Sequence, residues 1–213
     1  MPDLRFQVED VSPTPNAATP QLACKVRITN SEPQPVHSVS LRAQIQIEPA
    51  RRRYTPEEQR NLEELFGKPE RWSKSLHPLL WTNTNVTVPG FTSSTVVEVP
   101  VPCTFDFNVA VTKYIHGLQN GELPVSLLFS GTVFYAGPVG LQIAQIPWDR
   151  EAGYRLPVAV WKEMMDLYYP NTAWLCLQRD VFQRLNEFRV QHGLHTWEDA
   201  IEFMLNEAAE VKS

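Results

Sequence analysis

Five stretches of this chain alternate apolar and polar residues with a period of two, and that pattern restricts it to a sheet-based core. Leu4, Phe6 and Val8 alternate with Arg5, Gln7 and Glu9. Leu22, Cys24, Val26 and Ile28 alternate with Ala23, Lys25, Arg27 and Thr29. Val39, Leu41, Ala43, Ile45 and Ile47 alternate with Ser40, Arg42, Gln44 and Gln46. One-sided alternation of this kind predicts antiparallel strands with one wet face. Val99, Val101, Cys103, Phe105 and Phe107 share a parity, and a short helix is expected over 107–118. Val125, Leu127, Phe129, Gly131, Val133 and Tyr135 share another, while Leu128 and Phe134 add bulk on the opposite side. A strand apolar on both faces belongs in the middle of a sheet. Leu141 and Ile143 are expected to pair back on it as the last long strand.

Helical signals interrupt and then follow this pattern. Thr55, Pro56 and Glu58 form a capping box with proline at the first helical position, and Gly67 ends that helix. Trp72 to Trp81 is expected to be an extended segment covering a sheet edge. After Trp148 the period changes. Trp161, Met164, Met165 and Tyr168 fall at helical spacing, as do Val181, Phe182, Leu185 and Phe188. A third helix, capped by Thr196, carries Trp197, Ile201, Met204, Leu205 and Ala208. The fold class is therefore α+β. An antiparallel β-sheet or sandwich core with inserted helices occupies residues 1–150. A helical C-terminal part, residues 151–213, packs on it.

Composition narrows the function. The net charge is −5, which disfavours nucleic-acid phosphates as a partner. No apolar run reaches membrane-spanning length, and the N-terminus lacks a signal-peptide pattern, so no membrane insertion is expected. Cys24, Cys103 and Cys176 are isolated in sequence. Three such cysteines suit reduced thiols in a cytoplasmic protein better than a disulfide framework.

No residue pattern nominates a catalytic centre, a cofactor or a metal site. His192 and His195 flank a glycine turn without a Cys pair or a helical His-Glu-x-x-His. Cys103 and His116 could meet, but no third group orients them; a buried, inert Cys103 is expected. Asp106 is expected to cap the following helix, and Ser130 to be a core or bulge residue. Arg51, Arg52 and Arg53 precede Glu57 and Glu58, and form either a solvated charged turn or a patch for an acidic partner. The last 40 residues have the order short strand, helix, Gly-turn, capped helix, which is the order of a ribbon-helix-helix module. From residue 171 onward four cations face seven anions, so a packing or dimerising helix pair is expected rather than a DNA reader. Aromatic residues crowd this end of the chain. Trp161, Tyr168, Tyr169, Trp174 and Trp197 are the candidate interaction residues, together with the three arginines.

The phrases IEPARRRYTPEE, LFGKPERW, LLWT, VPGF, VPCTFDF, KYIHGL, LFSGTVFY, YRLPVAVWKEMMDLYYP and TWEDAIEFML occur here in order. In this combination the chain resembles a bacterial family described as a domain of unknown function, found mainly in actinobacteria and other soil bacteria. Genes of that family often stand beside those of a high-affinity, oxygen-tolerant [NiFe]-hydrogenase. The resemblance implies an accessory, maturation or assembly partner, with hydrogenase subunits as the protein partners. The chain cannot itself be a hydrogenase subunit, because it lacks the paired CxxC motifs and cluster cysteines. The order of strands and helix also resembles the secretion chaperone SecB, without matching its motifs. The expected function is a non-catalytic binding or assembly protein, open to self-association as a homo-oligomer. A SecB-like holdase and an enzyme of unrecognised type are the alternatives.

Overall fold

The fold was obtained as a computed structural model, which describes residues 1–103, 109–138, 140–172 and 177–210. It comprises two units, Met1–Thr172 and Ala173–Ser213. In the first, strand β1 (Leu4–Pro13) pairs with β2 (Gln21–Asn30). Strand β3 (Val36–Ile47) follows in the second sheet. Short helices α1 (Pro56–Asn61), α2 (Glu63–Phe66) and α3 (Trp72–Ser75) lead into β4 (Leu79–Val88). Strand β5 (Ser94–Pro102) and helix α4 (Val109–His116) precede the long strand β6 (Glu122–Gly137). Then come β7 (Gly140–Gln145), β8 (Glu151–Pro157) and helix α5 (Val158–Tyr168).

The strands make two antiparallel sheets. One has the order β1-β2-β5, and the other runs β4-β3-β6-β7 with β8 also on β6. The alternation places the core directly. Leu22, Cys24, Val26 and Ile28 are buried on β2, and Val26 faces Val8 on one side and Val97 on the other. Val39, Leu41, Ala43, Ile45 and Ile47 are buried on β3. Phe6 of one sheet stacks on Phe129 of the other with ring centres 4.2 Å apart, so the inner faces close into a sandwich. Strand β6 is central, as its two-sided apolar pattern predicts. It pairs with β3 along one edge, and with β8 and then β7 along the other.

Four expectations need correction. Residues 72–81 are not an extended cover: Trp72–Ser75 is helical, and Leu79–Val88 is an edge strand on β3. Its buried positions include Thr82 and Thr84, so polar β-branched residues stand where the alternation would need apolar ones. The boundary does not fall at 150. Residues 151–157 form β8, with Val125 facing Tyr154, and α5 follows at once within the same unit. Ala152 and Leu156 are buried there, but Gly153 and Arg155 lie between them and leave too faint a period to read. Consequently β7 is not the last strand. Ser130 is exposed rather than in the core. The short strand expected near 174 and the Asp106 cap fall outside the described residues.

The second unit contains helices α6 (Arg179–Gln191) and α7 (Trp197–Glu210). Thr196 caps α7 as expected. Its Oγ1 accepts from the Asp199 N–H at 3.0 Å, and its N–H donates to Asp199 Oδ2 at 3.1 Å. Among the described residues no helix of the protein is long and apolar enough to cross a membrane.

Candidate functional site

The second unit has far more apolar side chains than it buries. Phe188 packs near Phe203 with ring centres 5.7 Å apart, and Phe182 near Trp197 at 5.0 Å. The Arg189 guanidinium lies over the Trp197 ring at 4.7 Å. Among the unit's described residues only Ala200 is buried. Val181, Phe182, Val190, Met204 and Leu205 are exposed. Between the helices lies a groove of about 600 Å³ whose wall includes Leu177, Val181, Leu185, Phe188, Ile201 and Met204. Arg184 and Glu187 also line it. Val181, Leu185, Phe188, Ile201 and Met204 read from sequence as apolar positions at helical spacing on two helices. What their periodicity could not convey is that this face stays open, because two short helices have too little mutual surface to cover it. Chemically the groove suits an apolar stripe on another polypeptide.

The other candidate residues are placed differently. Trp161 is buried in the first unit, edge-on to the His116 ring at 4.9 Å. Burial, and secondarily Lys162, depresses the His116 pKa. Tyr168 donates from its hydroxyl to the Thr14 carbonyl at 2.6 Å and accepts from the Ala17 N–H at 3.0 Å. It thereby pins the proline-rich connector between β1 and β2. Trp161 and Tyr168 thus serve the junction of α5 with the sandwich. Tyr169 is half-buried, and Trp174 lies outside the described residues. Trp197 sits in the helix pair.

The three arginines separate. The Arg52 side chain is only 8% exposed and pairs with Glu58 at 2.5 Å. It also donates to the carbonyls of Glu122 and Asn120, both at 2.6 Å. Its role is internal. Arg51 lines a surface cleft with Arg53, Arg155 and Glu122, and is exposed. Arg155 is 3.9 Å from Glu122. The cleft, which Arg52 also lines, keeps the acidic-partner alternative open for Arg51 and Arg53, whereas Arg52 is already paired with Glu58.

Of the polar residues in the apolar stretch, Asp106 lies outside the described residues, and Lys113 and His116 have separate partners. Lys113 pairs with Glu64 at the surface, at 2.5 Å. Cys103 is buried, its Sγ 3.2 Å from the Val101 carbonyl, and burial pushes its thiol pKa up to about 12. The Cys24 thiol is likewise pushed up to about 12, first by burial and then by Asp10. Both stay protonated and unreactive at neutral pH. Mass-spectrometric mapping after a brief exposure to iodoacetamide is expected to find Cys24 and Cys103 unmodified in the native protein and modified in urea. Native labelling of either would contradict its burial. Among the described residues no three His, Cys, Asp or Glu side chains form a metal-sized cluster. His192 packs at a tilt against Phe188, with ring centres 4.1 Å apart.

Fold and groove together define an antiparallel β-sandwich protein with an appended helix pair. The chain belongs to the family described as "Family of unknown function (DUF6084)", which it matches over residues 1–213. No curated protein matches it. Among solved structures it is similar to a protein from Arabidopsis thaliana, at 13% identity and a TM-score of 0.33, over 71% of this chain and 79% of that one. It is also similar to a CARDB domain from Pyrococcus furiosus solved with di-metal ions, at 12% identity and a TM-score of 0.28, over 73% and 86%. A β-glucosidase from Kluyveromyces marxianus matches at 9% identity and a TM-score of 0.30, over 72% of this chain and only 15% of the enzyme.

Proposed function

We propose that this is a non-catalytic binding and assembly protein that makes its contacts through the C-terminal helix pair, and that it serves a [NiFe]-hydrogenase as an accessory or maturation partner. One observation carries the binding half: the helix pair exposes Val181, Phe182, Met204 and Leu205 around an apolar groove. Apolar surface of that kind on a small element is stabilised by contact with another polypeptide. The hydrogenase half rests on the resemblance carried by the phrases from Ile47 onward.

The sandwich is the rigid carrier in this reading. Arg51 and Arg53 offer a second contact to acidic segments of the partner. One further observation favours a holdase: Leu141, Ile143 and Trp148 are exposed on the first unit, Trp148 at 93%. Affinity capture of the tagged protein from its native host decides between them. Hydrogenase subunits should be enriched, and should be lost with Met204→Glu. Capture of many unrelated unfolded chains, unaffected by that change, would favour the holdase. Absence of hydrogenase subunits under hydrogenase-expressing conditions would sink the accessory role.

A further inference from the structure

We infer that the groove of the helix pair is the seat of a second copy of this chain, with α6 of one protomer lying against α7 of its partner. The inference rests on the binding reading and specifies it: the polypeptide that fills the groove is a second copy of this chain, and the client meets the resulting dimer. Size is the first argument. A unit of about 40 residues lies at the limit below which a chain needs a metal, a disulfide or another subunit to hold a core. The described part of this one buries a single alanine. Two copies placed groove to groove would remove Val181, Leu185, Phe188, Ile201 and Met204 from water twice over, once per protomer.

Charge is the second argument, and it selects both the occupant and its orientation. Helix α6 carries Arg179, Arg184 and Arg189 against Asp180 and Glu187. Helix α7 carries Glu198, Asp199, Glu202, Glu207 and Glu210, and no lysine or arginine. Arg184 lines the groove on the α6 side. Glu198 and Glu202 are one turn apart and share a face with the exposed Leu205 by helical spacing. Each protomer thus holds one net cationic helix and one strongly anionic helix beside the same apolar floor. A two-fold copy with α6 facing α7 brings Arg184 to the partner's acidic face at both symmetry-related contacts. The other pairing, α7 on α7, sets ten carboxylates against one another and is disfavoured.

The test is sedimentation of the purified full-length chain, alone and without client, across a concentration series. A concentration-dependent dimer is expected. Met204→Glu should abolish it, and circular dichroism should show the β signal unchanged. Arg184→Glu and Glu202→Arg are exposed changes that leave the fold intact. Each should weaken the homodimer about tenfold or more, and a mixture of the two variants should recover association. A chain that stays monomeric at all concentrations, or that associates only with a different protein, overturns the inference. So does a dimer insensitive to all three changes. A monomer leaves the hydrogenase reading standing, while a failed capture experiment leaves the dimer standing.

Discussion

Replacing Glu58 by Gln is expected to destabilise the first unit by about 3–5 kcal/mol, the cost of stranding a buried partner charge. The Glu58 carboxylate is buried and accepts from three donors. These are the Arg52 guanidinium at 2.5 Å, the Thr55 N–H at 3.0 Å and the Gln119 N–H at 3.0 Å. It therefore ties the start of α1 to the loop after α4, with Arg52 bridging onward to β6. A neutral amide leaves the buried guanidinium with two carbonyls and no counter-charge. Replacing both residues, Glu58→Gln with Arg52→Leu, should cost less than the sum of the single changes. Urea unfolding of the three variants checks this. Equal, sub-kilocalorie losses would show that the pair is not a buried one.

The same carboxylate predicts an acid limb. Burial opposes its ionisation more than any single partner favours it. Together, however, the Thr55 and Gln119 N–H groups and the Arg52 charge hold its pKa below the ordinary carboxylate value. A group depressed in the folded state stabilises fully above its unfolded pKa, about 4.3 for Glu. That contribution is lost as pH falls through the lower folded value. Wild type should therefore lose stability below about pH 4 more steeply than Glu58→Gln, which has nothing left to titrate there.

The strands that alternate strictly were legible because burial on β2, and on β3 from Val39 onward, follows side-chain parity residue by residue. The capping box at Thr55 and the cap at Thr196 were legible because each cap and its partner lie within one turn of each other. Where the chain hid its structure, the core was built from residues that do not announce it. Strand β4 buries threonines, and β8 spaces Ala152 and Leu156 with glycine and charge. The candidate site was half legible. Apolar spacing found both helices of the groove, and aromatic content drew attention to the tail. Trp161 and Tyr168 are nevertheless fastened inside the first unit, because a ring's chemistry is the same whether it anchors a partner or a junction. Only the three-dimensional position of α5 separates the two uses. Arg52 makes the same point against its neighbours: three consecutive arginines look alike in sequence, and one of them is a buried strut.

Gly131→Ala is expected to destabilise the first unit by about 2–6 kcal/mol, combining left-handed backbone strain with overpacking. Strand β6 changes partners along its length, pairing with β8 over 122–128 and with β7 over 132–137. Gly131 sits at the handover. Its carbonyl accepts the Ile146 N–H at 2.9 Å, and two residues earlier the Phe129 N–H donates to the Arg150 carbonyl at 2.8 Å. Its φ of +134° is one that a side chain disfavours. A Cβ there would also stand 2.0 Å from the Ser40 carbonyl oxygen and 3.3 Å from the Leu41 Cα. Those atoms are backbone of β3, held in register opposite β6 by the Leu41–Gly131 pair. They cannot yield without opening the ladder at the centre of the sheet. Gly140→Ala is the control. Its φ is +105°, but a Cβ there meets nothing within 4 Å, so the backbone term alone remains, about 1–3 kcal/mol. Chemical denaturation of the two variants should rank Gly131→Ala well below Gly140→Ala in stability. Equal losses would mean that β3 and β6 can part at Ser40 without penalty, and that the close approach does not hold the strand's change of partner in place.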